Sequence, residues 1–424
     1  MDTIYAPSSG LPPAAIAIIR ISGPDALVAA RALAGDLPVP REARLRTLRD
    51  ARGGHLDTAL VLVFPAPDTA TGEDLVELHV HGGRAVVAAV EAALGTQPRL
   101  RRAEPGEFTR RALTNGRIDL AEAEGLGDLL SAETELQRRA ALAMADGTLS
   151  RRVATWRAAL LGLAARLEAS LDFADEGDVD PVLLATIREE AHAVGADIAA
   201  ALAVPPVDRL HDGIRVVLAG PPNSGKSTLL NALARREAAI VSPIAGTTRD
   251  RIEVPVARSG IPFVLIDTAG LRDQAGDAIE AIGIDRASQA IAAADIVLWL
   301  GDDRPPPSML WIHARADAPG REAKPDGAAV SVAAETGAGV EQLWSLLVAR
   351  SSALIPGAND LALNQRQRAH CTEAVEALVD AGAPDELIVA DALRRANVAL
   401  ARITGDTGIE AMLDALFGKF CIGK

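Results

Sequence analysis

The apolar residues of the N-terminal stretch come in short runs rich in isoleucine, valine and leucine, closed by glycine or proline. AIAIIRISG (15–23) reads as a strand ending in a glycine turn, and ALVLVFPAP (59–67) as a strand closed by prolines. LVELHVHGG (75–83) alternates apolar with polar residues, the period of a half-buried strand. RAVVAAVEAAL (84–94) then switches to helical spacing. Strands mixed with helices over residues 1–117 predict a small α+β domain. From 118 to 211 the period is helical throughout, and the interspersed charges of 120–173 suit long bundle helices. A further helix is expected over 182–203, followed by a linker, PPVDRLHDG (205–213). Between 212 and 352 buried strands and helices alternate, as in a parallel sheet covered on both faces. Helical spacing returns over 353–424. Two helical segments flanking an α/β module predict one discontinuous all-α domain with the module inserted into it.

Val216 to Asn231, VVLAGPPNSGKSTLLN, is the stretch where chemistry enters. A buried strand runs into a loop that fits G-x-x-x-x-G-K-[ST] at Gly220, Gly225, Lys226 and Ser227, and a helix follows. Glycines let backbone N–H groups curl around a phosphate, Lys226 can reach the outer phosphates, and Ser227 can offer its hydroxyl to magnesium. The helix that follows turns its positive end toward the anion. Thr247 and Thr248, in AAIVSPIAGTTRD (238–250), lie in a loop able to fold over a nucleotide and complete the magnesium shell. PFVLIDTAG (262–270) is a buried strand delivering Asp267, which can hold magnesium through water, and Gly270, whose N–H can meet the terminal phosphate. ADIVLWL (294–300) and MLWIHARAD (309–317) are further strands, the latter ending in Asp317.

Composition narrows the picture. Aromatics are 3% of the 424 residues, which favours closely packed helices over a large sandwich. Two cysteines, Cys371 and Cys421, make no disulfide framework, so a reducing cytoplasm fits. No apolar run reaches membrane-spanning length, and the first residues lack the form of a secretory signal. A net charge of −14 argues against nucleic-acid binding by the surface at large. His79 and His81 share a strand face, and without a third ligand nearby they fit a solvated or hydrogen-bonded pair better than a metal site. ADEGDVD (174–180) fits a solvated helix end better than a magnesium site.

The phosphate loop, GTTRD (246–250) and DTAG (267–270) together resemble the translation-factor-related class of small GTPases, with Leu271 where a catalytic glutamine usually stands. PGEFTRRALTNGRIDLAEAEGLGDLLSAET (105–134), TGEDLVELHVHGG (71–83) and FCIGK (420–424) are similar to the MnmE (TrmE) family of tRNA modification GTPases, over the whole chain and in the same domain order. The resemblance implies an N-terminal α+β domain for folate binding and dimerisation (1–117), a helical domain in two parts (118–211 and 353–424) and an inserted α/β P-loop GTPase domain (212–352). It implies a potassium-dependent, magnesium-using GTP hydrolase that forms a homodimer and joins an FAD-containing partner, MnmG (GidA), in a heterotetramer. Together the two proteins would install an aminomethyl or carboxymethylaminomethyl group at carbon 5 of the tRNA wobble uridine, from a 5-formyl- or methylene-tetrahydrofolate donor.

Carried onto this sequence, the family's GTP-binding positions are Asn223, Ser224, Gly225, Lys226, Ser227 and Thr228, and then Ser242, Pro243, Ile244, Ala245, Gly246, Thr247 and Thr248. Asp267, Thr268, Ala269 and Gly270 follow, with Ala314, Arg315, Ala316, Asp317, Ala333, Ala334 and Glu335 around the base. Ser227 and Thr248 would bind magnesium, and Asn223, Ser242, Ile244 and Thr247 potassium. Glu280, ahead of an x-I-G sequence, would orient the attacking water, although its spacing from DTAG is longer than the family's. Arg20, Glu77, Arg117 (often lysine in the family) and Lys424 would hold the folate, and Cys421 would take part in modification. Two motifs depart from the family. Ala314-Arg315-Ala316-Asp317 replaces N-K-x-D, and Ala333-Ala334-Glu335 replaces S-A-[KR]. Asp317 can still accept the two guanine N–H donors, Arg315 can lay its stem along the base, and Ala334 can still bond the base through its N–H. Loss of the asparagine at 314 costs about 1–2 kcal/mol, which predicts weak but genuine guanine specificity. A ribosome-assembly GTPase and a non-catalytic nucleotide-controlled scaffold are the alternative readings. The first would need a basic RNA-binding patch, and the second draws on the altered base-reading motifs.

Overall fold

The computed structural model describes residues 2–172, 181–235, 253–268, 288–357, 360–406, 417 and 423, with the side chains of 172 and 181 left aside. The chain divides into two compact units, Met1–Gly127 with Met144–Ala154 and Leu400–Lys424, and Asp128–Ala143 with Thr155–Ala399.

The first unit begins with strands β1 (Thr3–Pro7) and β2 (Ile16–Ser22), helix α1 (Ala26–Ala34), and strands β3 (Arg44–Arg49), β4 (His55–Phe64) and β5 (Leu75–His81). Helix α2 (Arg84–Gly95), β6 (Leu100–Arg102), α3 (Glu107–Thr114) and α4 (Leu120–Ser131) follow. The strands form a sheet in the order β3-β4-β5-β2-β1-β6, antiparallel except where β1 meets β6. Period-two alternation decides its two faces. Ala17, Ile19 and Ile21 of β2, Ala59, Val61 and Val63 of β4, and Val76, Leu78 and Val80 of β5 are buried in one cluster. Ala26, Ala29, Ala30 and Leu33 of α1 and Val87, Val90 and Leu94 of α2, spaced three and four apart, cover it. Each large buried side chain here contributes about 1.5–3 kcal/mol. The other face carries Arg20, Glu77 and His79, each half-buried.

The long bundle helices expected over 120–173 include one of 25 residues, Thr148–Asp172, preceded by two shorter ones. In chain order they are α4, α5 (Glu135–Ala145) and α6 (Thr148–Asp172). Thr134 and Gln137 form a reciprocal cap that starts α5, with Thr134 N–H donating to Gln137 Oε1 (2.7 Å) and Gln137 N–H to Thr134 Oγ1 (3.3 Å). Gly147, at φ +76, turns the chain ahead of α6.

In the second unit α7 (Pro181–Ala203) and the short α8 (Asp208–Asp212) lead into β7 (Ile214–Ala219), α9 (Lys226–Arg235), β8 (Glu253–Arg258) and β9 (Ile261–Asp267). Then come β10 (Ile296–Trp299), β11 (Leu310–Ala314), β12 (Val330–Val332) and α10 (Val340–Ser351). The strand order is β12-β11-β10-β7-β9-β8, parallel except for β8, which pairs antiparallel with β9. Apart from Arg215 near the start of β7 and Asp267 at the end of β9, both strands are apolar runs because both faces of the sheet are covered. Leu229 and Leu233 of α9 and Leu343, Trp344 and Leu347 of α10 belong to the same core, where the Phe263 and Trp344 rings meet edge to face at 5.2 Å.

Helices α11 (Gln365–Val379) and α12 (Glu386–Thr404) return to bundle packing, with α7 along α11. Trp156 of α6 donates to Asp197 of α7 (2.6 Å), and Arg157 of α6 to Asn397 of α12 (3.2 Å). The two crossings of the chain between bundle and sheet are tied side by side. Val207 N–H donates to Leu363 O (3.2 Å), and the Arg368 guanidinium bonds Leu202 O (2.6 Å) and Val204 O (2.8 Å). A helical domain interrupted by an α/β module is therefore what the fold contains.

Candidate functional site

Strands β7, β9, β10, β11 and β12 run parallel, so their carboxyl ends share one edge of the sheet, where open α/β sheets hold ligands. The loop after β7 has a backbone that few residues accept. Gly220 sits at φ +148, Asn223 at φ +60 and Gly225 at φ +93. A Cβ on Gly225 would lie 3.3 Å from Arg315 Cγ, so glycine is also what lets the β11 loop close against the phosphate loop. Helix α9 starts at Lys226, directing its positive end into the loop.

Lys226 is buried, and its ammonium donates to Gly220 O (3.0 Å) and Pro221 O (2.7 Å). Ser227 Oγ donates to the carboxylate of Asp267, which ends β9 and is itself buried. The pairing of Leu218 with Asp267 in register explains that meeting. Thr268 Oγ1 donates to Leu218 O (2.9 Å) and fixes the chain just after Asp267. At the end of β11, Arg315 takes φ +56 and donates from Nη1 to Asn223 O (3.1 Å). Ala316 N–H donates to Val332 O (3.1 Å), and Ala333 N–H to Ala338 O (2.9 Å).

A cleft of about 660 Å³, within the range of nucleotide-sized sites, is lined by Asn223, Gly225, Lys226, Ser227 and Thr228 on one side and by Ala314, Arg315, Asp317, Ala334 and Glu335 on the other. Ser224, Ala316 and Ala333 belong to the same loops, and Ala314 is buried at the strand end. Ser242, Pro243, Ile244, Ala245, Gly246, Thr247, Thr248, Ala269, Gly270 and Glu280 lie outside the described residues, as do 174–180, Cys421 and Lys424. Arg321 belongs to no recognisable motif, yet it reaches back to this loop. Its Nε donates to Ala314 O (3.1 Å), and its guanidinium pairs with Asp302 at 2.7 Å.

A second polar group lies on the face of the N-terminal sheet opposite the Ile19–Leu78 core, beside Phe108 of α3. Arg20 and Glu77 are opposite in the β2–β5 register, and the guanidinium donates to Glu77 Oε1 from Nη2 (2.8 Å) and Nε (3.2 Å). Burial pushes the Glu77 carboxyl up, but hydrogen bonds and charge from Arg20, aided by His79, outweigh it and hold the group below its usual range. Arg20 also stacks over the Phe108 ring at 5.7 Å. Arg117 pairs with Asp68 (3.3 Å), on the loop between β4 and β5. Gly423, at φ +100, packs against Pro7 and Ser8, and neighbouring Ala6 pairs with Arg20 across β1 and β2.

His79 and His81 turn to different carboxylates, Glu77 (3.3 Å) and Asp57 (2.8 Å). Among the described residues no group of three His, Cys, Asp or Glu side chains could hold a metal ion. Burial pushes the Cys371 thiol up to about 12, so it stays protonated. No helix among the described residues is long and apolar enough to cross a membrane.

Comparison with known proteins adds the family. A model of the "GTP-binding protein TrmE N-terminus" matches residues 3–117, and one of the "MnmE helical domain" matches 120–421. Similar curated proteins, each named tRNA modification GTPase MnmE, come from Erythrobacter litoralis (56% identical, 100% of both chains) and Rhizorhabdus wittichii (57% identical, 100% of this chain and 97% of that one). Among solved structures, the G domain of the T. maritima FeoB iron transporter aligns over 32% of this chain and 98% of its own, at 23% identity and a TM-score of 0.24.

Proposed function

The chain belongs to the MnmE (TrmE) family, and on that premise we propose that this tRNA modification GTPase is a potassium-dependent GTP hydrolase working with an FAD-containing MnmG partner. Its product is an aminomethyl or carboxymethylaminomethyl group at carbon 5 of the tRNA wobble uridine, with a tetrahydrofolate as one-carbon donor. The observation that carries this reading is the convergence of Lys226, Ser227, Arg315 and Asp317 on one cleft, with Asp267 bonded to Ser227, at the carboxyl ends of parallel strands.

In this reading Lys226 cradles the outer phosphates. Ser227 Oγ and Asp267, oxygen donors already joined by a hydrogen bond, are the hard ligands that suit magnesium, directly and through water, with Thr248 as the second hydroxyl. Bound there, magnesium would neutralise phosphate charge. Asn223, Ser242, Ile244 and Thr247 offer oxygens to potassium, which would supply the charge that an arginine finger gives in other GTPases. Glu280 orients the attacking water. Asp317 accepts the guanine N–H donors, and Arg315 holds the base-reading loop to the phosphate loop.

Residues 1–117 form the folate-binding and dimerisation domain, 118–211 and 353–424 the two parts of the helical domain, and 212–352 the GTPase domain of a cytoplasmic homodimer. Arg20, Glu77, Arg117 and Lys424 hold the folate, with Cys421 near it. The packing of Gly423 beside β1, next to the strand that carries Arg20, supports that grouping. Glu77, kept ionised by Arg20, suits the amino-pyrimidine edge of a pterin.

Deletion of the gene is expected to remove the carbon-5 substituent from wobble uridines in digested tRNA, and the wild-type chain should restore it. An unchanged nucleoside profile would contradict the proposal and favour the ribosome-assembly reading.

A further inference from the structure

The base-reading loop of this chain has lost a side chain that could brace it. Ala314 offers only a methyl group, yet Arg315 beside it is held at φ +56, a conformation that a non-glycine residue adopts only under constraint. The brace comes from downstream. Arg321 Nε donates to Ala314 O (3.1 Å), while Nη2 pairs with the exposed Asp302, after β10, at 2.7 Å. The backbone O of Arg321 also hydrogen-bonds Nε2 of His313 (2.7 Å), a buried residue of β11. Two short turns, Ala318 N–H to Arg315 O (3.0 Å) and Arg321 N–H to Ala318 O (3.1 Å), join these fixed points. Asp317 lies inside the closed loop, exposed and lining the cleft.

We propose that Arg321 is a positioning residue for base recognition: by clamping Ala314 O to Asp302 it holds the Arg315–Asp317 turn and so aims the Asp317 carboxylate at the guanine edge. The inference rests on the reading of Asp317 as the guanine acceptor. The planar guanidinium suits the task because it serves two acceptors in different directions at once, which a lysine ammonium on a flexible stem does less well. The contacts of Arg321 are to Ala314 O and Asp302, and it reaches the phosphate loop only through Arg315, so its loss should change which base is preferred more than how tightly phosphates are held.

The test compares binding of GDP, IDP, which lacks the 2-amino group, and ADP to the full chain and its variants. Arg321→Ala is expected to lower the GDP-to-IDP and GDP-to-ADP affinity ratios about tenfold, with ADP affinity unchanged. Arg321→Lys should recover part of the ratio, and Asp302→Asn, which leaves the arginine in place, should lower it about threefold. A merely structural role would weaken all three nucleotides together, and that result would overturn the inference. Asp317→Asn separates the two claims, because an amide there should shift preference toward XDP. If that shift occurs and Arg321→Ala and Asp302→Asn both keep the wild-type ratios, the clamp is wrong and the guanine reading stands. If Asp317→Asn leaves base preference unchanged, the guanine reading itself fails.

Discussion

Replacing Lys226 with alanine should lower GTP turnover by about two to three orders of magnitude, the scale expected when one preorganised charge is withdrawn from a developing anion. Lys226 is the buried cation of the cleft, fixed by Gly220 O and Pro221 O at the start of α9. Those carbonyls belong to the loop ahead of the helix, and Leu229 and Leu233, one and two turns further along the same buried face, still hold the helix to the core. The variant should therefore fold, with a melting temperature within a few degrees of wild type, and lose nucleotide binding and hydrolysis together. Steady-state turnover, nucleotide binding and thermal unfolding on the same preparation check this. Retained hydrolysis would mean that the phosphates do not lie against this loop.

Arg20→Ala should leave GTP turnover within about twofold of wild type and remove wobble modification. Glu77 is half-buried and is kept ionised chiefly by the Arg20 guanidinium. Without that cation, burial raises its pKa and the carboxylate loses the guanidinium that orients it. Truncating one partner of a desolvated charge pair in a binding site costs about 2–5 kcal/mol, so tetrahydrofolate affinity should fall at least thirtyfold. Folate titration and nucleoside analysis measure the two halves of this prediction. Loss of GTP turnover in Arg20→Ala would show that the polar face of the N-terminal sheet is not a separate site.

Much of this was legible because each element carried a strong local signal. The β7 run into Gly220, Gly225, Lys226 and Ser227 specifies a strand, a turn and a helix start in one stretch, and the continuous apolar β9 delivers Asp267 beside it. The alternation of β5 places Glu77 and His79 on one face before any partner is known. β3 was not legible, since RLRTLR is an edge strand with only Leu48 buried. The breaks around Thr134 and Gly147 were lost within an otherwise helical period, because a cap and a left-handed glycine do not disturb hydrophobic spacing. Arg321 could not be found by pattern at all. It sits in an irregular loop, and its role comes from where Ala314 O and Asp302 meet in space.

Ala314 and Ala333 make the GTPase the claim most worth testing. GTP turnover by the purified chain in potassium, and separately in sodium at equal ionic strength, tests it most directly. Strong stimulation by potassium alone is expected, with Asn223 and the 242–248 loop providing the ion site and Ala314 tolerated. Equal, near-zero rates in both salts, with no measurable guanine nucleotide binding, would contradict it, mean that the altered motifs have disabled the site, and put the non-catalytic scaffold reading first.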